Sequence, residues 1–219
     1  AVAAIERGDA EVMIAGGSDS TSNAPVTMPQ SLVHKVAPVA LSRKSGPLDY
    51  VKAIGSLSPR KDLLPRQPQI AERTTGEVMG EAAEKMARRN EISREAQDRF
   101  AAGSHHKAAA SIESGRLREE VTPVEVPGGK WVHGDTMVRA DTSVEKLAKL
   151  RPVFAKDGTL TAGNSTPLTD GAAAVLLMSE EKAEALGLTP LAASKSWSYV
   201  GVDPADQLLI GPALAMPLA

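Results

Sequence analysis

The stretch TAGNSTPLTDGAAAVLLM, Thr161 to Met178, decides how this chain folds. A polar segment rich in Gly, Asn and Pro ends in an Asp-Gly step and runs straight into the apolar residues Ala172 to Met178. Such a run has no wet face, so it reads as a central strand covered on both sides. Ser179 follows as a helix N-cap with Glu180 and Glu181 in the first turn, and Gly187 closes the helix. A buried strand fed by a tightly turned polar loop and followed by a helix is an α/β unit.

The same pattern stands near the start. AVAAIERGD reads as the tail of a helix closed near Gly8, and Glu11 to Ala15 as a buried strand. Gly16-Gly17 and Ser18 to Pro25 then take the chain sharply out of the sheet. Residues 26–73 are rich in proline and basic side chains with weak periodicity, which predicts loops and short helices. The run Thr74-Thr75-Gly76-Glu77 reads as a capping box for GEAAEKMARRNE, and Ser93 caps the long helix that ends at Gly115. On that helix Ala96, Phe100, Ala108 and Ile112 fall near one face and are expected in the core. EEVTPVEVP reads as an edge or irregular strand, and Thr142-Ser143-Val144-Glu145 as the cap of a short helix, VEKLAKL. GTLTAGN and LAASKSWSYVGVD are expected to return to the sheet, and Pro217 to begin a helix. The fold class is therefore α/β with an inserted, mostly helical domain.

Composition narrows the chemistry. Net charge is −2, from 25 basic and 27 acidic residues, which gives no overall field toward nucleic acid or an anionic membrane. No apolar run approaches the roughly 20 residues of a transmembrane helix. With no cysteine in the sequence, disulfides, thiolate metal sites and cysteine nucleophiles are excluded within these residues. The histidines His34, His105, His106 and His133 lack metal-ligand spacing, and the adjacent pair His105-His106 is expected on different faces of its helix, exposed to solvent. No initiator methionine opens the sequence, which therefore reads as an internal piece of a longer protein.

IAGGSDSTSNAP, VMGEAAEKMARRNEISREAQDRFAAGSHHKAA, AKLRPVF, GTLTAGNSTPLTDGAAAVLLMSEEKA and SWSYVGVDPADQLLIGPALAMP together resemble the thiolases, acetyl-CoA acyltransferases that make or cleave 3-ketoacyl-CoA. In order and spacing these pieces cover nearly the whole chain apart from residues 26–73. VMGEAAEKMA and DQLLIGPALAMP are closest in style to the thiolase subunits of fatty-acid β-oxidation trifunctional complexes. The resemblance implies a five-layer α/β fold of two related halves, with a loop domain inserted in the first half. Residues 1–25 would end the first half's opening segment, 26–157 would be the loop domain, 158–190 the rest of the first half, and 191–219 the start of the second.

The resemblance also implies a mechanism. A cysteine thiolate attacks the 3-keto carbon, acetyl-CoA leaves as its carbanion is protonated by a second cysteine, and CoA then takes the acyl group from the enzyme. The family's nucleophile lies about three helical turns before Ala1, and its catalytic histidine and second cysteine lie far downstream. No catalytic residue is therefore assigned in this chain, which by itself is expected to be inactive. CoA is expected as a substrate, with no cofactor tightly bound and no metal. The full chain is expected to be a homo-oligomer, with a hydratase/dehydrogenase subunit as a candidate partner, in the cytoplasm or an organelle matrix.

What this chain would contribute is a CoA surface. By motif, the pantetheine-contacting loop falls on Ala162, Ser165, Thr166 and Leu168, with Thr166 where many members carry serine. Arg139, Lys146, Leu147, Leu150 and Phe154 match the segment lining the adenosine end, although Lys146 replaces a serine of the biosynthetic pattern. Met79 matches the acyl-pocket wall, and Val78 before it replaces a histidine of short-chain biosynthetic members, which favours a degradative enzyme. Each residue also has a plainer interpretation. TAGNSTPLTDG fits a connecting loop, Arg139 and Lys146 fit solvated charges, and Met79 fits a gap-filling core residue. The alternative function is a non-catalytic CoA- or lipid-binding module of thiolase ancestry.

Overall fold

A computed structural model describes residues 1–65 and 70–219, and the end of the basic, proline-rich stretch, Arg66 to Pro68, lies outside the described residues. The chain divides into two compact units. Residues 1–70 and 168–195 form the first, and 71–167 with 196–219 form the second. Helices and strands are mixed, as the α/β class requires.

The first unit contains helix α1 (Val2–Glu6), strand β1 (Val12–Asp19), helices α2 (Gln30–Ala40) and α3 (Pro47–Gly55), and a π-helical turn at Pro59–Leu63. Later in the chain, strand β4 (Gly171–Met178) and helix α7 (Glu180–Ala185) join it. β1 and β4 pair antiparallel over their full length, from Val12 opposite Met178 to Asp19 opposite Gly171. β1 thus runs through Gly16-Gly17 rather than leaving the sheet there. The small residues Ala172, Ala173 and Ala174 stand opposite Ser18, Gly17 and Gly16, so the glycines continue the ladder with nothing bulky to accommodate.

Asp170 secures the far end of this ladder. Its carboxylate accepts from the Ser22 backbone N–H at 2.9 Å, from Ser20 Oγ at 3.3 Å and from Thr21 Oγ1 at 3.4 Å. The Ser22 N–H is the main reason its carboxyl is held below the usual range. The Asp-Gly step therefore serves as a clamp between distant segments, not as a hairpin turn. Ser179 caps α7 as expected, accepting from Lys182 N at 3.2 Å.

The second unit is built on helix α4 (Met79–Arg89) and the long helix α5 (Arg94–Glu113). A 3₁₀ turn (Arg116–Glu119), a hairpin of β2 (Val124–Val126) and β3 (Lys130–Val132), and helix α6 (Val144–Ala148) follow. Near the end of the chain α8 (Pro204–Gln207) and α9 (Gly211–Ala215) complete it. Several expectations shift here. α4 is capped at Val78, whose N–H is reached by Glu81 at 3.3 Å, while Thr74 and Thr75 instead wrap the carboxylate of Glu72. GTLTAGN is an irregular loop with one bridge, Thr161 to Pro152, rather than a strand. LAASKSWSYVGVD carries no strand either, and the last helix begins at Gly211 with Pro212 in its first turn, not at Pro217.

The packed face of α5 also differs from the apolar pattern. Phe100 is 82% exposed and Ile112 43%, whereas Asp98 and Ala102 are buried. The helix turns its polar side chains inward because partners wait there, as described below. Ser93 does cap it, accepting from Ala96 N at 3.2 Å, and Gly115 closes it with φ +79°.

Few apolar side chains are buried among the described residues: Ala82, Ala87, Ala102, Leu147 and Ala183. The expected burial of both strands is not met among the described residues: β1 and β4 pair only with each other and both faces of the ladder stand open, with Ile14 76%, Val175 59% and Leu176 58% exposed. Covering one such leucine is worth roughly 1.5–3 kcal/mol, a driving force for burial against any apolar surface. The isolated chain is therefore expected to self-associate, and sedimentation velocity should show mass rising with concentration and falling back for Ile14→Asp/Leu176→Asp; a monodisperse monomer of the unsubstituted chain would refute this. A second expectation concerns acid. Glu72, held to about 2 chiefly by the Thr74 hydroxyl, has its folded-state value depressed below the ordinary 4.5. Its stabilising contribution is complete above about pH 4.5 and lost as the pH falls through about 2. Acid unfolding of Glu72→Gln should accordingly show a shallower pH dependence across that window.

Candidate functional site

Two buried carboxylates organise the second unit. Glu84, on α4, is 4% exposed and takes hydrogen bonds from the Thr159 N–H at 2.8 and 3.0 Å, the Leu160 N–H at 2.8 Å and Thr159 Oγ1 at 3.3 Å. A buried carboxylate is tolerated when its lone pairs are filled, and here the backbone of the loop after Gly158 fills them. The loop is fixed in return, although it has almost no β pairing. Gln97 of α5 adds a bond to Thr159 Oγ1 at 2.9 Å.

Asp98, on α5, is 1% exposed and sits midway along a relay. Arg94 Nε donates to its Oδ2 at 2.8 Å, and Asn164 Nδ2 donates to its Oδ1 at 2.9 Å. Arg94 Nη2 also reaches the carbonyls of Leu147 at 2.7 Å and Leu150 at 3.1 Å at the end of α6, where Leu147 O additionally accepts from the Leu150 N–H at 2.9 Å. At the other end Asn164 Oδ1 accepts from Thr161 N at 2.7 Å, and Asn164 Nδ2 also donates to Thr159 O at 3.1 Å. Thr161 is fully buried, and its Oγ1 accepts from Gly163 N at 3.2 Å.

These anchors bring several of the expected residues together. The end of α6 lies against the TAGNS loop so closely that a Cβ on Gly163 would sit 2.5 Å from methyl carbons of both Leu147 and Leu150. Leu147 is buried and Leu150 is 40% exposed. Phe154 lies over the first turn of α4, where a Cβ on Gly80 would meet its ring at 2.2 Å, so it stands beside the turn that carries Met79. Val153 N bonds Leu160 O at 3.0 Å and joins the Phe154 segment to the loop. Ala162 and Thr166 are exposed, and Ser165 is half-buried with a buried Oγ that has no hydrogen-bond partner among the described residues. Leu168, 67% exposed, belongs to the other unit.

The two expected cations differ. Arg139 is exposed, and its guanidinium makes no hydrogen bond or ion pair among the described residues. Its backbone N–H donates to His105 Nδ1 at 3.2 Å. Lys146 Nζ is held by Asp141, at 2.9 Å from the carboxylate and also on its carbonyl oxygen, so its charge is already partnered. That bond is the first cause of the lowered Asp141 carboxyl, with the Arg139 charge a minor one. Ser143 caps α6, accepting from Lys146 N at 3.3 Å.

Of the histidine pair, His106 is exposed as expected and His105 is half-buried, and both make hydrogen bonds. His106 Nε2 donates to Thr142 O at 2.9 Å while His105 accepts from Arg139, so both brace the 139–142 segment where it passes α5. Among the described residues no cluster of three or more His, Asp or Glu could hold a metal ion, and no helix is long and apolar enough to cross a membrane. The anchors Glu84, Arg94, Asp98 and Asn164 were not expected from sequence. The four-residue spacing of Arg94 and Asp98 was visible, and Asn164 lay inside the quoted loop, but nothing in GEAAEKMARR separates Glu84 from its solvated neighbours.

Comparison with known proteins identifies the family. The profile of the thiolase N-terminal domain matches residues 1–181. A 3-ketoacyl-CoA thiolase of Pectobacterium atrosepticum is 46% identical over 217 residues, covering 98% of this chain and 49% of that protein. One of Shewanella piezotolerans is 44% identical over 215 residues, covering 97% of this chain and 48% of that one. The chain thus spans about half the length of the curated relatives it matches. Human mitochondrial 3-ketoacyl-CoA thiolase, solved in complex with CoA, superposes with a TM-score of 0.76 at 30% identity, covering 99% of this chain and 50% of that one. An acetyl-CoA acetyltransferase from Syntrophomonas wolfei gives 0.72 at 29%, covering 99% and 49%. With its sequence and its fold both matching, the chain belongs to the thiolase family, in the region of the thiolase N-terminal domain.

Proposed function

We propose that this chain is the CoA-presenting portion of a 3-ketoacyl-CoA thiolase of fatty-acid β-oxidation, in which acyl transfer to CoA passes through a cysteine acyl-enzyme. The observation that carries this is the meeting of Leu147 and Leu150 with the backbone at Gly163. It makes the adenosine-lining segment and the pantetheine loop one continuous surface. Phe154 extends that surface to the first turn of α4, beside Met79 at the acyl-pocket wall. The unpartnered Ser165 Oγ supports the same assignment, since a buried hydroxyl without a partner is uncommon in a folded protein and a pantetheine amide can supply one after a small side-chain rotation.

The chain's residues bind and orient; they do not perform the bond-making step. With no cysteine in these residues, the nucleophile and the proton donor come from elsewhere in the complete enzyme. CoA is a substrate, no cofactor is tightly held and no metal is assigned. A homo-oligomer, a hydratase/dehydrogenase partner, and a cytoplasmic or organelle-matrix location belong to the same proposal. The lack of cysteine also keeps a non-catalytic CoA- or lipid-binding module in view. Reading the coding sequence on both sides separates them: a cysteine about three helical turns before Ala1 and a histidine and cysteine downstream support the enzyme, and their absence refutes it.

Binding offers a direct check. Titration calorimetry with CoA is expected to give a measurable affinity that Arg139→Ala weakens about tenfold, the loss of one charge-assisted contact to phosphate. Lys146→Ala should cost less, under about threefold, because its ammonium already has Asp141 as partner. An Arg139→Ala variant binding as well as the parent would place the phosphate contact elsewhere.

A further inference from the structure

We propose that Glu84 and the relay Arg94–Asp98–Asn164 are positioning residues that set the pantetheine loop against both ends of the CoA surface. The proposal rests on the assignment of that loop to CoA, and deepens it. None of these side chains is among the residues expected to touch the cofactor, yet each is tied by hydrogen bonds to a segment that is.

The relay is continuous. From the carbonyls of Leu147 and Leu150 it passes through Arg94 to Asp98, then through Asn164 to the Thr161 N–H, with every bond between 2.7 and 3.1 Å. One end holds the segment that lines adenosine, and the other holds the loop that faces pantetheine. Glu84 makes a second, independent brace. Through α4 it links the first turn, which bears Met79, to Thr159 and Leu160. The spacing between acyl wall and pantetheine loop is therefore set from behind by one carboxylate, and the spacing between loop and adenosine segment by the other.

This geometry has a kinetic consequence. A loop displaced by a fraction of an ångström binds the same ligand less well, whereas the reacting groups, carried elsewhere, keep their own geometry. In the complete thiolase, Asn164→Ala is expected to raise the KM for CoA and for 3-ketoacyl-CoA about tenfold while kcat stays within about threefold. Amide exchange at Thr161 and Gly163 should speed up by at least about tenfold as the relay opens. Glu84→Gln keeps one oxygen for both loop N–H groups, so its KM is expected to rise less than that of Glu84→Ala. A drop in melting temperature with KM, kcat and loop exchange all unchanged would make the network a structural fastening and overturn the proposal. If Asn164→Ala does not fold, Asn164→Asp decides, because it keeps the shape but cannot donate to Asp98 Oδ1 or Thr159 O: a KM rise of about threefold supports positioning, and none overturns it. Parent enzyme that binds no CoA overturns the assigned function and this inference together, whereas normal binding beside an unaffected variant overturns this inference alone.

Discussion

The second unit depends on a carboxylate, Glu84, that solvent cannot reach. Moving an ionised carboxylate out of water costs several kcal/mol unless its oxygens are filled by donors, so burial of Glu84 and capture of the Thr159 and Leu160 N–H groups come as one event. Either alone would be unfavourable. Together they replace the ladder hydrogen bonds that the segment would have made as a strand. The same reasoning applies to Asp98, filled by a guanidinium on one oxygen and a carboxamide on the other. The inward face of α5 is polar for this reason, and its apolar Phe100 points out.

How much of this was legible depends on whether the determining contact was local. Caps at Ser93 and Ser179 are decided within three residues, and both side chains accept the N–H that their position predicts, while on α6 the cap falls on Ser143, one residue after the Thr142 of the expected box. The strand at Gly171–Met178 and the thiolase resemblance were also readable, because an unbroken apolar run and an ordered series of motifs need no tertiary partner to recognise. Distance defeated the rest. The continuation of β1 through Gly16-Gly17 is dictated by alanines more than 150 residues away in sequence. Glu84 looks like a surface residue until a loop 75 residues later arrives to use it. Apolar periodicity on α5 misled because it assumes that an inward face is apolar.

Within the proposed site, the sequence offered the residues assigned to CoA but not the residues that hold them in place. Ala162, Ser165 and Thr166 sit in a loop whose composition is conspicuous, while Leu147, Leu150 and Phe154 are ordinary side chains identified through motif order. Lys146 shows the limit of that method. A position can match a motif while its side chain, here bound to Asp141, is already occupied. Arg139 matches, and its guanidinium makes no hydrogen bond or ion pair among the described residues, while its backbone is steadied by His105.

A loop that must present its groups to a cofactor cannot also commit them to a sheet. If residues 158–166 were a regular strand, their N–H and C=O groups would be consumed pairwise by neighbours on either side, and side chains would alternate strictly between faces. An irregular loop escapes both constraints but gives up the ladder that would fix it, at a cost in conformational entropy of roughly 1–2 kcal/mol for each residue ordered. Glu84, Asp98 and Asn164 offset that cost from the protein side, bonding Thr159, Leu160 and Thr161 and leaving Ala162, Ser165 and Thr166 uncommitted. Rigidity behind and free polar groups in front are thus two results of one arrangement, and in the proposed CoA site the buried acids of α4 and α5 serve the binding surface although they never face it.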